Sequence, residues 1–387
     1  MTKYIVVHSG ARDQYKLAEA LYKHGKLGYL VTDDILFRRE YKGMFPRSLI
    51  KISYLGLLVR MILKVYNFGE RMQQQKSKYL GRTAGKLSKR KNMPLMALQE
   101  YAYHAYQYSD VRPRIVFQFH PQANANKMIF VNEIRRNPEM SGFTNEMSIY
   151  TPKKIQEAED ELRGTDYYIA ASSFTKQTLV ENGADPLKIF VAPYGVDTSK
   201  YPFKDRVVPK TVQFVFVGSF VERKGAFYLL QAVKRLEEEG LNFRLKIISR
   251  FVGNESLLKQ LGIRSVEVLY NVSHSELISN LHNSDVFVFP SLFEGFAFVI
   301  VEAMSSGLPV ITTPRTCGFD VITEGEEGFI LEPSDVEALY EKMKFFILHP
   351  ERCPVMGKKA ARRAKLITWQ NFENKIIEAV ETIEKQS

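Results

Sequence analysis

Two glutamates, Glu294 and Glu302, stand eight positions apart around Gly295 in the run from Ser273 to Ser305. The apolar residues from Asp285 to Pro290 read as a strand. A short loop holding Glu294 and Gly295 follows, and a helix is expected from about Ala297 to Ser306, carrying Glu302. Both carboxylates then face the C-terminal end of one strand. In an open α/β sheet that edge binds ligands, and the N–H groups at a following helix N-terminus suit phosphate oxygens. Carboxylates beside an anion need a separate task. They accept hydrogen bonds from sugar or ribose hydroxyls while nearby amides hold a diphosphate, and a nucleotide sugar unites those groups.

The elements that position this pair belong to a long chain. With 387 residues and 45% hydrophobic content, two domains are expected. The two cysteines, Cys317 and Cys353, show no zinc-site spacing, so we expect free thiols in a reducing compartment, no disulfide and no structural metal. MTKYIVVHSG reads as a first strand rather than a secretory signal, and no uncharged apolar run reaches the length of a membrane span. The expected location is cytoplasmic, peripheral on the inner membrane face. The net charge of +11 is uneven: Arg38 to Lys91 holds 15 Lys or Arg against Glu40 and Glu70, a local +13, which leaves −2 for the rest. Such a patch points to an anionic partner, namely a phospholipid surface, a phosphorylated acceptor or nucleic acid.

Apolar runs alternate with helical patterns in both halves. Strands are expected at Tyr4–Val7, Gly28–Val31, Arg114–Phe119, Tyr167–Ala170 and Ile189–Ala192. A long helix is expected around Ser48–Tyr79, with a looser polar stretch to Asn92, and Asn137–Thr151 carries no clear pattern. A second series begins at Val212–Val217 and continues through Phe243–Ile248, Val266–Tyr270, Val286–Pro290, Val310–Thr312 and Gly328–Leu331. The expected fold class is α/β, two Rossmann-like doubly wound domains facing a central cleft. The boundaries fall at 1–203, 204–365 and 366–387, the last a helix packing back on the first domain.

Taken together, GSFVERKGAFYLLQAVKRL, FEGFAFVIVEAMSSGLPVITT, the GVD at Gly195 and EGEEGFILEPSDVEAL resemble, in order and spacing, the family 4 retaining glycosyltransferases of the GT-B fold, with their E-x7-E signature. The resemblance covers most of the chain and is most specific in its C-terminal half. It implies that Glu302 holds the ribose hydroxyls, that Glu294 faces the donor sugar, that backbone amides of Gly295, Phe296, Ala297 and Phe298 lie near sugar and phosphate, and that Lys224 contacts the diphosphate with no metal required. Gly218 is the loop glycine. Many relatives follow it with arginine, whereas this chain has Ser219, so Arg223 either supplies the missing cation or faces outward. Ala297 stands where a second glycine is common. In the N-terminal half, Gly10 matches a glycine-rich loop near donor and acceptor, and His120 fits the family's cleft histidine.

The implied activity is a retaining, metal-independent transfer of a sugar from a nucleotide diphosphate sugar to a hydroxyl of a glycan or glycolipid, in cell-surface polysaccharide synthesis. No cofactor is implied. A sugar epimerase or phosphorylase shares the fold but not the donor signature, and a nucleic-acid-binding protein would explain Arg38–Lys91 but lacks a recognition signature. A nicotinamide oxidoreductase lacks G-x-G-x-x-G in either half. Arg60, Lys64 and Arg71 are expected on one side of a single helix, facing an anionic membrane or acceptor. The tyrosines of Tyr101–Tyr108 read as core packing before sugar stacking, Ser172 and Ser173 as N-capping residues, and His8 as a cap for a backbone group.

Overall fold

The computed structural model describes residues 2–9, 13–34, 43–65, 69–252 and 262–386, without the side chains of residues 63–73. The first unit runs β1 (Tyr4–Val7), α1 (Lys16–Lys23), β2 (Leu27–Thr32), β3 (Ile50–Ile52), α2 (Tyr54–Val65), α3 (Gly69–Lys91), β4 (Leu95–Leu98) and α4 (Ala102–Tyr106). It continues with β5 (Arg114–Gln118), α5 (Ala123–Arg136), α6 (Ser141–Met147), α7 (Pro152–Gly164), β6 (Tyr167–Ala170), α8 (Ser173–Glu181) and β7 (Ile189–Val191). These strands form one parallel sheet in the order β3-β2-β1-β4-β5-β6-β7. All four residues of β1, β4 and β6 are buried, which is why those strands read as unbroken apolar runs: helices cover both faces.

The second unit comprises β8 (Val212–Val217), α9 (Ala226–Glu238), β9 (Phe243–Ser249), β10 (Val266–Tyr270), α10 (His274–His282), β11 (Val286–Phe289), α11 (Phe298–Ser305), β12 (Val310–Thr312), α12 (Gly318–Val321), β13 (Gly328–Ile330), α13 (Val336–Leu348) and α14 (Arg352–Ala364). Its parallel order is β10-β9-β8-β11-β12-β13. The order reverses between β8 and β11, so the loops leaving those two strands lie side by side. The final helix, α15 (Trp369–Gln386), returns to the first unit: Lys23 and Lys26 pair with Glu373 and Glu384 at 2.8 and 2.7 Å, and Phe372 packs against Phe117 and Tyr194.

Three sequence expectations change. The segment expected as one helix followed by loose chain is β3 and then two helices, and the polar stretch to Asn92 is helical through Lys91. Its mixed polarity hides a periodic inner face, with Ser77, Leu80, Ala84, Leu87 and Ser88 all buried. The unpatterned Asn137–Thr151 contains α6, whose purpose is contact between the units. A second apolar cluster joins Ile129, Phe130, Phe143 and Phe174 of the first unit to Phe227, Tyr228, Leu292 and Phe293 of the second. Buried Glu133 on α5 ties across the same seam, accepting hydrogen bonds from the Tyr228 hydroxyl and, at 2.8 Å, the Ser334 hydroxyl.

Candidate functional site

Glu294 leaves the C-terminal end of β11 and is almost wholly buried. Its backbone N–H donates to the Arg315 carbonyl at 2.7 Å, which fixes the loop. One carboxylate oxygen collects three partners: Arg223 Nη1 at 2.8 Å, the Lys224 ammonium, and the Ser291 hydroxyl at 3.2 Å. Burial alone would raise this carboxyl. The adjacent charges of Arg223 and Lys224, aided by His120, outweigh it and hold Glu294 down to about 2.

The cations come from the neighbouring β8 loop, as the strand order requires. This loop closes with a single 3-10 turn, Glu222–Lys224, and ends at Gly225 with φ +80°. A Cβ at Gly225 would meet the Pro290 carbonyl at 2.1 Å, so glycine lets the β8 and β11 loops touch. Arg223 is fully engaged. Its backbone N–H donates to Glu146 of α6 at 2.8 Å, and Nη1 donates both to Glu294 and to the Phe293 carbonyl at 3.1 Å. Arg223 therefore faces inward and bridges the units, settling the choice that the sequence left open against an outward side chain. Ser219 is exposed, and Gly218 takes φ +140°.

At Gly295 the two units meet backbone to backbone. A Cβ there would lie 1.8 Å from the Phe119 carbonyl oxygen and 3.2 Å from Nδ1 of His120, so His120 stands directly across from Glu294's loop. The first unit holds His120 by its backbone: its N–H donates to Gln99 at 3.0 Å, and its carbonyl accepts from Gln118 at 2.9 Å. Thr175 donates to the Gly295 carbonyl across the same gap at 3.2 Å. Among the described hydrogen bonds, the N–H groups of Gly295, Phe296, Ala297 and Phe298 have no protein acceptor, and they open the N-terminus of α11. Such amides suit an anion. Ala297 reaches this geometry in the left-handed region, φ 72°, where a side chain costs about 1–2 kcal/mol. The Phe296 ring packs against Tyr194 and Phe298, so this residue serves the site through its backbone only.

Glu302 lies one turn beyond Phe298 on α11 and faces a separate part of the cleft, about 500 Å³, together with Asp197, Lys200, Tyr201, His274 and, from α15, Trp369. Burial pushes its carboxyl up, against a lowering hydrogen bond from the Tyr201 hydroxyl. The structure thus gathers Lys224, Arg223, Glu294, Gly295 and His120 at one point and sets Glu302 apart along the same helix. Gly10 lies outside the described residues. His8 does not cap a backbone group: it pairs with the Asp13 carboxylate at 2.5 Å, both fully buried. Ser172 caps α8 as expected, accepting from the Thr175 N–H, whereas Ser173 reaches across to Asp320 at 2.6 Å. Glu146 and Tyr201 were missed because one sits in an unpatterned segment and the other in a turn-rich one. Among the described residues no three His, Cys, Asp or Glu side chains converge as metal ligands, and Cys317 and Cys353 are buried and free.

Known proteins resemble this chain in sequence and in fold. The family model described as glycosyl transferases group 1 matches residues 197–363, which include every second-unit residue named above up to Asp320. The chain is 30% identical over 208 residues to the MMP α-(1→4)-mannosyltransferase of Mycolicibacterium hassiacum, covering 52% of this chain and 50% of that one. It is 28% identical over 230 residues to the capsular polysaccharide biosynthesis glycosyltransferase CapM of Staphylococcus aureus, covering 54% and 60%. The matches thus span half to three fifths of those relatives. Sucrose-phosphate synthase from Thermosynechococcus elongatus superposes over 100% of both chains with a TM-score of 0.72 at 14% identity. Anabaena HepE, solved with UDP, covers 98% of this chain and is itself covered in full, with a TM-score of 0.64 at 15% identity. The chain therefore has the GT-B fold, and its second unit matches the glycosyl transferases group 1 family.

Proposed function

We propose that this protein is a retaining glycosyltransferase that moves a hexose from a nucleoside diphosphate to a hydroxyl of a glycan or glycolipid, without a metal ion, in polysaccharide synthesis at the cytoplasmic side of a membrane. One observation carries the reading: Lys224, the unsatisfied amides of Gly295 to Phe298 and the Glu294 carboxylate converge opposite His120 in the cleft. In this arrangement Glu294 neutralises the cations. An incoming diphosphate takes over Lys224 and the amides, which releases Glu294 to accept hydrogen bonds from the donor sugar. Glu302 and Tyr201 receive the ribose. As the glycosidic bond breaks, negative charge gathers on the departing diphosphate, where Lys224 and the preorganised N–H groups stabilise it. The acceptor hydroxyl attacks from the same face and loses its proton to a phosphate oxygen. HepE, solved with UDP, makes UDP-sugars the first donors to test.

Binding of UDP-, GDP-, ADP- and TDP-sugars by thermal shift, followed by hydrolysis and transfer with EDTA present, tests the proposal. Glu302→Ala should weaken donor binding by roughly 1.5–3 kcal/mol, the value of a charge-assisted hydrogen bond. An absolute need for Mg²⁺ or Mn²⁺, or inversion at the anomeric carbon, would overturn the mechanism. Failure of every nucleotide sugar to bind would overturn the function.

A further inference from the structure

The basic excess is organised in space around β3, the edge strand of the first sheet. A groove of about 1020 Å³ runs between β3 and α3, and five cations line it: Arg47, Lys51, Arg82, Lys86 and Arg90. Among the described residues, no acidic side chain does. Arg82, Lys86 and Arg90 recur at intervals of four along α3 and share one face. The charged ends of two of them, Arg82 and Lys86, lie over the Tyr108 ring, and that of Lys51 lies over Tyr29, so aromatic faces help to hold three of the five cations in place. Such a lining suits phosphate-bearing groups.

The wall of the groove continues into α2, whose outer face is apolar. Tyr54, Leu55, Leu58 and Met61 are 78%, 52%, 54% and 58% exposed, at helical spacing. The inner face is fastened to the protein. Arg60 donates to Asp33 and Asp34 at 3.0 and 2.8 Å, and Gly56 and Val59 are buried. This corrects the expectation that Arg60 presents its charge outward with Lys64 and Arg71; the side chains of those two lie outside the described residues. A water-soluble surface gains nothing from four adjacent exposed apolar side chains. Apolar groups beside a row of cations match the two layers of an anionic bilayer, acyl chains below and phosphates above.

We propose that this face seats the protein on an anionic phospholipid membrane, with the outer face of α2 entering the interface and the β3–α3 groove holding headgroup phosphates. The inference goes beyond sugar transfer and stands independently of it. Because α2 begins at the C-terminal end of β3, and the strands of the sheet are parallel, the α2 end of the seated face adjoins the edge that carries His8 and His120, while Arg47 and Arg90 lie toward the other end of β3. A lipid-borne molecule at the membrane therefore meets the mouth of the cleft.

The test is flotation of the full chain with vesicles of phosphatidylcholine alone or with 30% phosphatidylglycerol added, at low and high salt. Binding should require the anionic lipid and fall with salt. A basic residue near such a surface contributes about fivefold in affinity. Arg82→Glu/Lys86→Glu/Arg90→Glu should therefore lose roughly 100-fold or more, while Arg82→Lys/Lys86→Arg/Arg90→Lys should retain binding. Leu55→Ser/Leu58→Ser/Met61→Ser should also lose binding, at unchanged melting temperature and unchanged donor hydrolysis. Equal flotation with neutral vesicles, or charge-reversed and serine variants that float like wild type, would overturn the proposal. So would tighter binding to duplex nucleic acid than to vesicles, a dimer that the serine variant abolishes, or release from vesicles by millimolar inorganic phosphate.

Discussion

Replacing Gly295 by alanine isolates the contact between the two units. The added Cβ would fall 1.8 Å from the Phe119 carbonyl oxygen and 2.9 Å from its carbon, atoms of backbone that cannot rotate away. Carbon and oxygen rest at about 3.3 Å or more, so the clash demands a displacement of roughly 1.5 Å. Overpacking of this kind costs about 1–3 kcal/mol. The backbone on both sides is fixed, so relief means parting the units at this point, against the apolar cluster and the Glu133 hydrogen bonds that cross the seam. The closed form should then lose roughly 5- to 150-fold in population, and the donor turnover rate should fall by that factor. Small-angle scattering should show a larger radius of gyration. Gly225→Ala provides the contrast. Its Cβ would strike the Pro290 carbonyl inside one unit at φ +80°, no hinge can relieve it, and stability itself should fall. Wild-type turnover by Gly295→Ala, with an unchanged scattering profile, would refute the contact.

Lys224→Ala should slow donor cleavage on the order of 10²–10³-fold, the usual effect of losing one preorganised contact to developing charge; single-turnover kinetics at saturating donor read this. Glu161, buried and accepting from the N–H groups of Glu100 and Tyr103, is pushed by burial up to about 7. Its folded pKa exceeds the unfolded one, so the folded state binds the extra proton, and stability falls as pH rises from about 4.5 through 7. Urea melts should show Glu161→Gln gaining on wild type by an amount on the order of 3 kcal/mol between pH 5 and pH 8; a pH-independent difference would contradict it. Ala297→Gly relieves a left-handed residue but frees the unfolded chain, so it should be neutral or up to about 1 kcal/mol stabilising, whereas Ala297→Val should destabilise. Denaturant midpoints separate these outcomes.

The parallel sheets were legible because strands buried on both faces write themselves as apolar runs, and β8 and β11 were found within a residue of their ends. The candidate site was legible where backbone chemistry constrains sequence, at Gly295 and at the acidic pair, Glu294 before α11 and Glu302 within it. What escaped was long-range. Nothing near Glu146 announces a partner 77 residues away at Arg223, and Glu133 reads as an ordinary helix acid until Tyr228 and Ser334 arrive from the other unit. The inward turn of Arg60 escaped for the same reason, since helical spacing gives relative directions and leaves open which face meets Asp33 and Asp34. Short β3 was hidden because three half-buried residues make no pattern of their own.

The return of α15 to the first unit also bears on the order in which the protein can be made. Every strand of the second sheet, from β8 to β13, comes from one uninterrupted part of the sequence, so that sheet can be assembled before α15 leaves the ribosome. The first unit, though synthesised earlier, lacks Phe372, Ile376, Val380 and Ile383, all buried in the finished protein, until the last helix emerges. Lys26, itself almost fully buried, must wait 358 residues for Glu384. The half that begins first is thus completed last, and a nascent chain stalled before Trp369 would present a finished second unit beside an unfinished first one.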